Sequence, residues 1–330
     1  RAGPSVPAPV QTKKCRGPAV VSSFNAYLSK LDQCSEREFI EQDGELNVVE
    51  TFKIRGSQSN LSRNRKEIDD YEERLLAEEI PADHAGPQLA WPPTEESLGT
   101  LLEHLKCNCR TTLHRSYVAK ALVGARELYS KGSSSLLEIE VDSGNHQKLI
   151  VVGDLHGQIN DLLWILHIHG LPNPAGAQYL FNGDFVDRGE YGMEVLTLLC
   201  TMKCLWPNSV HLNRGNHETL NANIAYGFAP ECIHKYSNEM MQICQWLFEA
   251  LPLVHIVTSK EASAWATQAG YPTVKIMVVH GGLPRRDKVT LEDISEIFRF
   301  QDIPTRPKTE EAELLFDLLW ADPLETRGRE

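Results

Sequence analysis

The chain predicts an α/β fold whose functional groups gather along one sheet edge, and three observations predict it. Strand and helix signals alternate along the chain, the pattern of sheets covered by helices. Four polar blocks each follow a short apolar run of strand length. They are Gly153-Asp154-Leu155-His156-Gly157 after 149–152, Gly183-Asp184-Phe185-Val186-Asp187-Arg188-Gly189 after 179–181, Arg214-Gly215-Asn216-His217-Glu218 after 210–212, and His280-Gly281-Gly282-Leu283 after 276–279. Such folds place ligands beyond their strand ends, so the four blocks should converge. The blocks are rich in Asp, His and Asn, side chains that bind borderline-hard divalent metals.

Residues 1–20 are rich in Pro, Ala and Lys and read as disordered. Charged residues dominate 20–80, with broken helical signals. Within that stretch, 67–79 has helix formers but few apolar positions, and reads as a solvated linker in preference to a packed helix. Pro81 and Pro92-Pro93 mark a boundary. Residues 1–93 are therefore expected to form a disordered or partly helical extension, and 94–330 the catalytic domain.

Leu98, Leu101, Leu102 and Leu105 recur at helical spacing. A second helix is expected over 113–129, with Thr111 or Thr112 as N-cap and Gly132 as terminator. Residues 136–141 and 148–152 read as a β-hairpin across Asp142-Ser143-Gly144-Asn145. Helices follow at 159–169, stopped by Gly170 and Pro172, then at 191–205 and 230–250. A strand is expected at 253–257, an exposed loop of small residues at 259–273, and a short helix at 291–298. The sequence has no internal repeat.

With 42% apolar and 24% charged residues, the 330-residue chain has ordinary globular composition. A net charge of −12 argues against general binding to nucleic acid or an anionic membrane, since both need a basic face. No apolar run reaches the roughly 18 residues of a membrane-spanning helix. No signal peptide is visible, but the chain begins at Arg1 and not at Met, so the natural start is expected upstream. None of the eight cysteines has structural-zinc spacing or a phosphate-cradling loop, so free thiols in a cytoplasmic protein are expected, with the nucleus as second compartment.

In extended backbone Asp154 and His156 point to one side, placing a carboxylate and an imidazole on one metal. Asp184 has two oxygens and suits a bridge between two metals. Asn216 adds an amide oxygen and His280 a second imidazole. Together they supply most ligands for two cations about 3.5–4 Å apart, the arrangement that serves in-line displacement at phosphorus. Two such ions lower the pKa of a shared water toward neutrality. His217, adjacent to Asn216, should leave the metals and face the substrate as general acid. Asp187 is its natural partner, and Arg188 has the planar fork that grips phosphate. Arg214 and Glu218 read as supports that fix the loop from behind. His167, His169, His211 and His255 lie outside the blocks and read as non-catalytic. Any one of these residues alone would read as a cap or a surface group; their joint occurrence, each after its own strand, carries the expectation.

These blocks resemble the signature of the phosphoprotein phosphatase family of metal-dependent serine/threonine phosphatases, across residues 94–330. Leu113-His114-Arg115 and the phrases at 181–189 and 211–218 resemble most the type-five and EF-hand-bearing branches. The resemblance implies a metallophosphoesterase-type β-sandwich flanked by helices. It implies Asp154, His156 and Asp184 on a first metal, and Asp184, Asn216 and His280 on a second. His217 would donate the proton with Asp187, Arg188 would hold the phosphate, and the ions would be manganese or an iron/zinc pair. Phosphorylated proteins would be the substrates. Leu318-Leu319-Trp320-Ala321-Asp322-Pro323 matches a further block, with Ala321 where the family has Ser; its Trp320 and Asp322 would border the site. Family members continue with another Arg, a last His ligand and closing strands. The chain therefore reads as a fragment lacking the C-terminal part of the fold, weakly active or inactive alone, with regulatory domains outside it. Two alternatives use the same residues: a small-molecule phosphatase acting on dinucleoside polyphosphates, and an inactive scaffold.

Overall fold

The computed structural model describes residues 35–42, 45–54, 57–61, 65–107, 111–142, 147–259, 274–304 and 307–322. Residues 1–20, and all of the 259–273 loop past Ser259, lie outside them. The chain divides into two compact units, Arg1–Arg63 and Asn64–Glu330.

In the first unit, β1 (Ser35–Gln42), β2 (Glu45–Ile54) and β3 (Ser57–Leu61) form an antiparallel sheet in that order. These strands stand where the sequence reading found only broken helical signals. The overlooked signal is the Asp43-Gly44 dipeptide between Gln42 and Glu45, which pair across the strands; such dipeptides favour hairpins.

The second unit starts thirty residues before the expected boundary. Residues 65–77 form a helix, α1 (Arg65–Ala77), not a linker. Its few apolar residues suffice because Ile68 and Leu75, two turns apart, are both buried. Polar ties do the rest: Arg126 donates to both carboxylate oxygens of Glu72 at 2.8 and 2.6 Å, and Tyr71 Oη lies 3.0 Å from Ser237 Oγ. The expected leucine helix is α2 (Glu95–Cys107), with Leu98, Leu101, Leu102 and Leu105 buried. The next, α3 (Arg115–Ser130), is capped by His114, whose side chain accepts from Ser116 N, and not by a threonine.

The expected hairpin does not form. Strand β4 (Leu136–Val141) pairs in parallel with β8 (Val254–Ser259), and β8 pairs antiparallel with β9 (Val274–Val279). Strand β5 (Lys148–Val152) instead joins a parallel sheet with β6 (Ala177–Phe181) and β7 (Val210–Leu212). The two strands belong to different sheets because their apolar residues face a shared interior. Ile139 and Val141 of β4 and Val257 of β8 pack with Leu180 of β6, joined by Leu149 and Val278. The sheets thus form a sandwich. On the outer face of β4-β8-β9, Val254 and Ile256 pack with Ile294 of α9 (Leu291–Ser295) and with Leu314, Leu315 and Leu318 of α10 (Glu310–Trp320). Helices α4 (Ile159–His169) and α5 (Gly192–Leu205) lie where the periodicity predicted them. The single helix expected over 230–250 is two, α7 (Phe228–Lys235) and α8 (Asn238–Ala250), the latter capped by Ser237; a further helix, α6 (Leu220–Tyr226), precedes them. Among the described residues no helix is long and apolar enough to cross a membrane.

Candidate active site

Each polar block sits just past a strand of the sandwich, and backbone bonds pull the blocks together. Leu155 N and His156 N both donate to Asp184 O at 2.9 Å, and Gly157 N donates to Phe185 O at 2.8 Å. Glu218 ties the second block to the third: its carboxylate accepts from Asp184 N at 2.7 Å, Phe185 N at 2.9 Å and Gly215 N at 2.8 Å. Burial pushes this carboxyl above its ordinary range, the Asp184 charge adds to the rise, and the N–H donors oppose it. Buried Arg214 holds the loop from behind, donating from Nε to Glu218 O at 3.1 Å and from Nη1 to Gln301 O at 2.8 Å.

Among the described residues, the non-glycine positions with positive φ are His156 (41°), Asp184 (55°), Asp187 (69°), Arg188 (64°) and Lys288 (65°). Four of these five belong to the blocks. Left-handed backbone at such residues costs about 1–3 kcal/mol each and persists only where surrounding structure enforces it. Asp154 and His156 therefore converge through a left-handed turn, not through the extended alternation expected, with Asp154 Oδ2 3.8 Å from His156 Nε2. Gly183 has φ 90°, and a Cβ there would lie 2.6 Å from Gly215 N, so no larger residue lets these two blocks close.

The centre of the site is a group of acceptors facing one another. His156 Nδ1 lies 2.9 Å from Val186 O and must donate to it, leaving a lone pair on Nε2, which is buried without a hydrogen-bond partner and 3.4 Å from Asp184 Oδ2. His280 Nδ1 likewise donates to Asn182 O at 2.7 Å, so its Nε2 lone pair faces Asp184 Oδ1 at 3.3 Å and Asn216 Oδ1 at 2.9 Å. Turning the Asn216 amide would put its nitrogen 3.0 and 3.2 Å from the Asp184 oxygens and 2.9 Å from His280 Nε2. That rotation still leaves His156 Nε2 unpartnered. Cations among these atoms satisfy every acceptor with the amide oxygen where it stands. The donor set of imidazole nitrogen, carboxylate oxygen and amide oxygen fits divalent ions.

His217 sits closer to this group than expected. It forms with His156 and Asp184 a buried trio whose ligand atoms all lie within 4.8 Å of one another. Its other bonds distinguish it. Nδ1 is 2.8 Å from Asp187 Oδ2, and Nε2 is 3.2 Å from Arg188 Nη2. Asp187 is fully buried and also accepts from Phe228 N at 2.8 Å and Asn223 Nδ2 at 3.1 Å. Burial raises its carboxyl above the ordinary range, and the His217 bond opposes the rise. Arg188 is exposed and pairs with neither Glu218 nor Asp187. Sequence reasoning missed Asn223, whose Nδ2 also donates to His217 O at 2.7 Å. It missed Tyr226 too, whose ring packs 4.8 Å from that of His217. Tyr226 and Trp320 line an apolar pocket of about 330 Å³ with Ala222, Ile303 and Phe316. Trp320 lies in this pocket with Tyr226, while Asp322 is exposed past α10 and makes no hydrogen bond to the cluster.

Residues 147–329 match the family model of the calcineurin-like phosphoesterases. The chain belongs to that family. It is 39% identical over 217 residues to the human serine/threonine-protein phosphatase 5, a match covering 66% of this chain and 38% of the relative. It is 36% identical over 257 residues to the phosphatase of the same name from Solanum lycopersicum, covering 78% of this chain and 41% of the relative. Among solved structures, a serine/threonine phosphatase from Saccharomyces cerevisiae, described as similar to human phosphatase PP5, superposes with a TM-score of 0.61 at 36% identity, over 71% of this chain and 67% of that one. The chain spans about two fifths of the length of these two curated relatives. The mixed α/β sandwich of this metallophosphoesterase is the fold its motifs predict.

Proposed function

We propose that this phosphoesterase hydrolyses phosphoserine and phosphothreonine in proteins, with two divalent ions, manganese or an iron/zinc pair, held by Asp154, His156, Asp184, Asn216 and His280. The observation that carries the reading is the buried Asp187–His217 pair set beside the acceptor cluster, with the exposed Arg188 fork alongside. When bound, the ions supply a water acidic enough to ionise near neutral pH and offset the charge of the phosphate. The chain's own groups do the rest. Arg188 presents parallel N–H donors to phosphate oxygens. Asp187 holds His217 Nδ1–H, leaving Nε2 to carry the proton given to the departing serine or threonine oxygen. Turning Arg188 onto phosphate removes its N–H from His217 Nε2, so substrate binding and readiness of the acid are coupled.

The apolar pocket at Tyr226 and Trp320 suits a peptide side chain next to the phosphoresidue and favours proteins over dinucleoside polyphosphates. The relatives' greater length leaves room for regulatory domains outside this chain. We place the enzyme in the cytoplasm or nucleus, a reading supported by free Cys107, Cys200, Cys204, Cys232 and Cys244. The test is phosphate release by the manganese-loaded full-length protein from a phosphoserine peptide and from a dinucleoside polyphosphate. Faster turnover of the peptide is expected; preference for the dinucleotide, or no release from either, refutes the reading.

A further inference from the structure

A buried polar bridge joins the two sheets directly behind the acceptor cluster. Along β8, Val254 and Ile256 face α9 and α10, so by strand alternation His255 and Val257 face the opposite sheet. His255 is fully buried there, with Nδ1 2.6 Å from Asn213 Oδ1. Asn213, just past β7, donates from Nδ2 to Asn182 Oδ1 at 2.8 Å and to Val278 O at 3.2 Å. Both contacts of that nitrogen are acceptors, so the amide orientation is settled and His255 Nδ1 must carry the hydrogen. Asn182, just past β6, donates from Nδ2 to Val279 O at 3.0 Å, and its own carbonyl accepts from His280 Nδ1.

The bridge therefore touches every strand end that delivers a ligand to one group of the cluster. Asp184 lies two residues past Asn182, Asn216 three past Asn213, and His280 one past Val279. Around the bridge the interior is largely apolar, with Ile139, Val141, Leu180, Val257 and Val278, and the His211 ring packs edge-on to His255. Apolar contact is non-directional and lets one sheet shift over the other at little cost, whereas buried hydrogen bonds fix both distance and angle. We propose that His255 and Asn213 are positioning residues that set the spacing of Asp184, Asn216 and His280, and so govern how tightly the chain holds the ion shared by those three side chains. The proposal rests on metal binding at His280, as read above.

The experiment compares His255→Gln, which keeps an N–H donor for Asn213 Oδ1, with His255→Met, which fills similar volume without one. Mn²⁺ binding to metal-stripped full-length protein is measured by calorimetry, and the spin-coupled signal of the ion pair by electron paramagnetic resonance. His280→Ala serves as reference. His255→Gln should bind both ions like the parent. His255→Met should bind one ion normally and the second roughly 10–100-fold more weakly, as when the partner of a metal ligand is lost. The double variant Asn213→Leu/His255→Met removes donor and acceptor together, so neither strands the other, and should show the same loss. Parental affinity for both ions in either Met-containing variant overturns the proposal, as does equal weakening by Gln and Met. If His280→Ala itself keeps both ions at parental affinity, the metal reading fails instead, and the two failures are distinguishable.

Discussion

Replacing Asp187 by Asn tests the acid directly, because the structure fixes what is lost. Three donors converge on this carboxylate: His217 Nδ1–H, Asn223 Nδ2–H and Phe228 N–H. An amide offers one oxygen and two N–H groups, so at least one donor is left facing another. A buried hydrogen bond to a charged group contributes about 1.5–3 kcal/mol, or roughly 10- to 150-fold in rate at about 1.4 kcal/mol per decade if it is felt in the transition state. The loss should fall on substrates whose leaving oxygen needs a proton. Asp187→Asn is therefore expected to lower kcat on a phosphoserine peptide by about 10- to 150-fold, while kcat on 4-nitrophenyl phosphate changes little and KM on either stays near the parent's. The assay is steady-state phosphate release at fixed Mn²⁺, with a melting curve for each protein. Equal losses on the alkyl and aryl esters would refute the argument, since damage to the site as a whole makes no distinction between leaving groups.

Other predictions follow from the same geometry. Arg188→Ala should raise KM and the inhibition constant of inorganic phosphate roughly tenfold or more, consistent with loss of a forked charge-assisted pair; an unchanged phosphate inhibition constant would remove Arg188 from the binding site. Glu218→Gln sets an amide against backbone N–H groups that now meet a carboxylate, and should cost about 1–3 kcal/mol in thermal or denaturant unfolding. Burial, with the Lys203 charge beside it, pushes His211 down to about 3. Its folded value lies below the unfolded one, so its contribution is complete above about pH 6.5 and is lost as pH falls from there toward 3. His211→Asn should accordingly flatten the acid side of the melting-temperature profile, and an unaltered slope would contradict this. Chelation of divalent ions should lower the melting temperature of the full-length protein, since ligands that bind only the folded state stabilise it.

Much of the site was legible in the chain because its chemistry is local. Asp184, Asp187 and Arg188 occur within five residues, and Asn216 and His217 are neighbours; any fold that brings those blocks to one edge brings their side chains with them. The elements read well where local signals were strong, as in the leucine spacing of α2 and the Gly170 stop of α4. They failed where partners decide. The strands at 136–141 and 148–152 are each plausible halves of a hairpin, and only the shared apolar interior assigns them to opposite sheets. Residues 65–77 lack a continuous apolar stripe, and they fold because Arg126 and Ser237, distant in sequence, meet Glu72 and Tyr71.

The donor types of the candidate site were written in the order of residues, since carboxylates, imidazoles and a guanidinium keep their chemistry in any surroundings. What the sequence could not settle was tautomer, orientation and distance. Val186 and Asn182 carbonyls turn the Nε2 lone pairs of His156 and His280 inward, and Asn223 clamps the Asp187–His217 pair. Those settings come from backbone groups and side chains far along the chain, brought near by packing, and only the tertiary structure decides them.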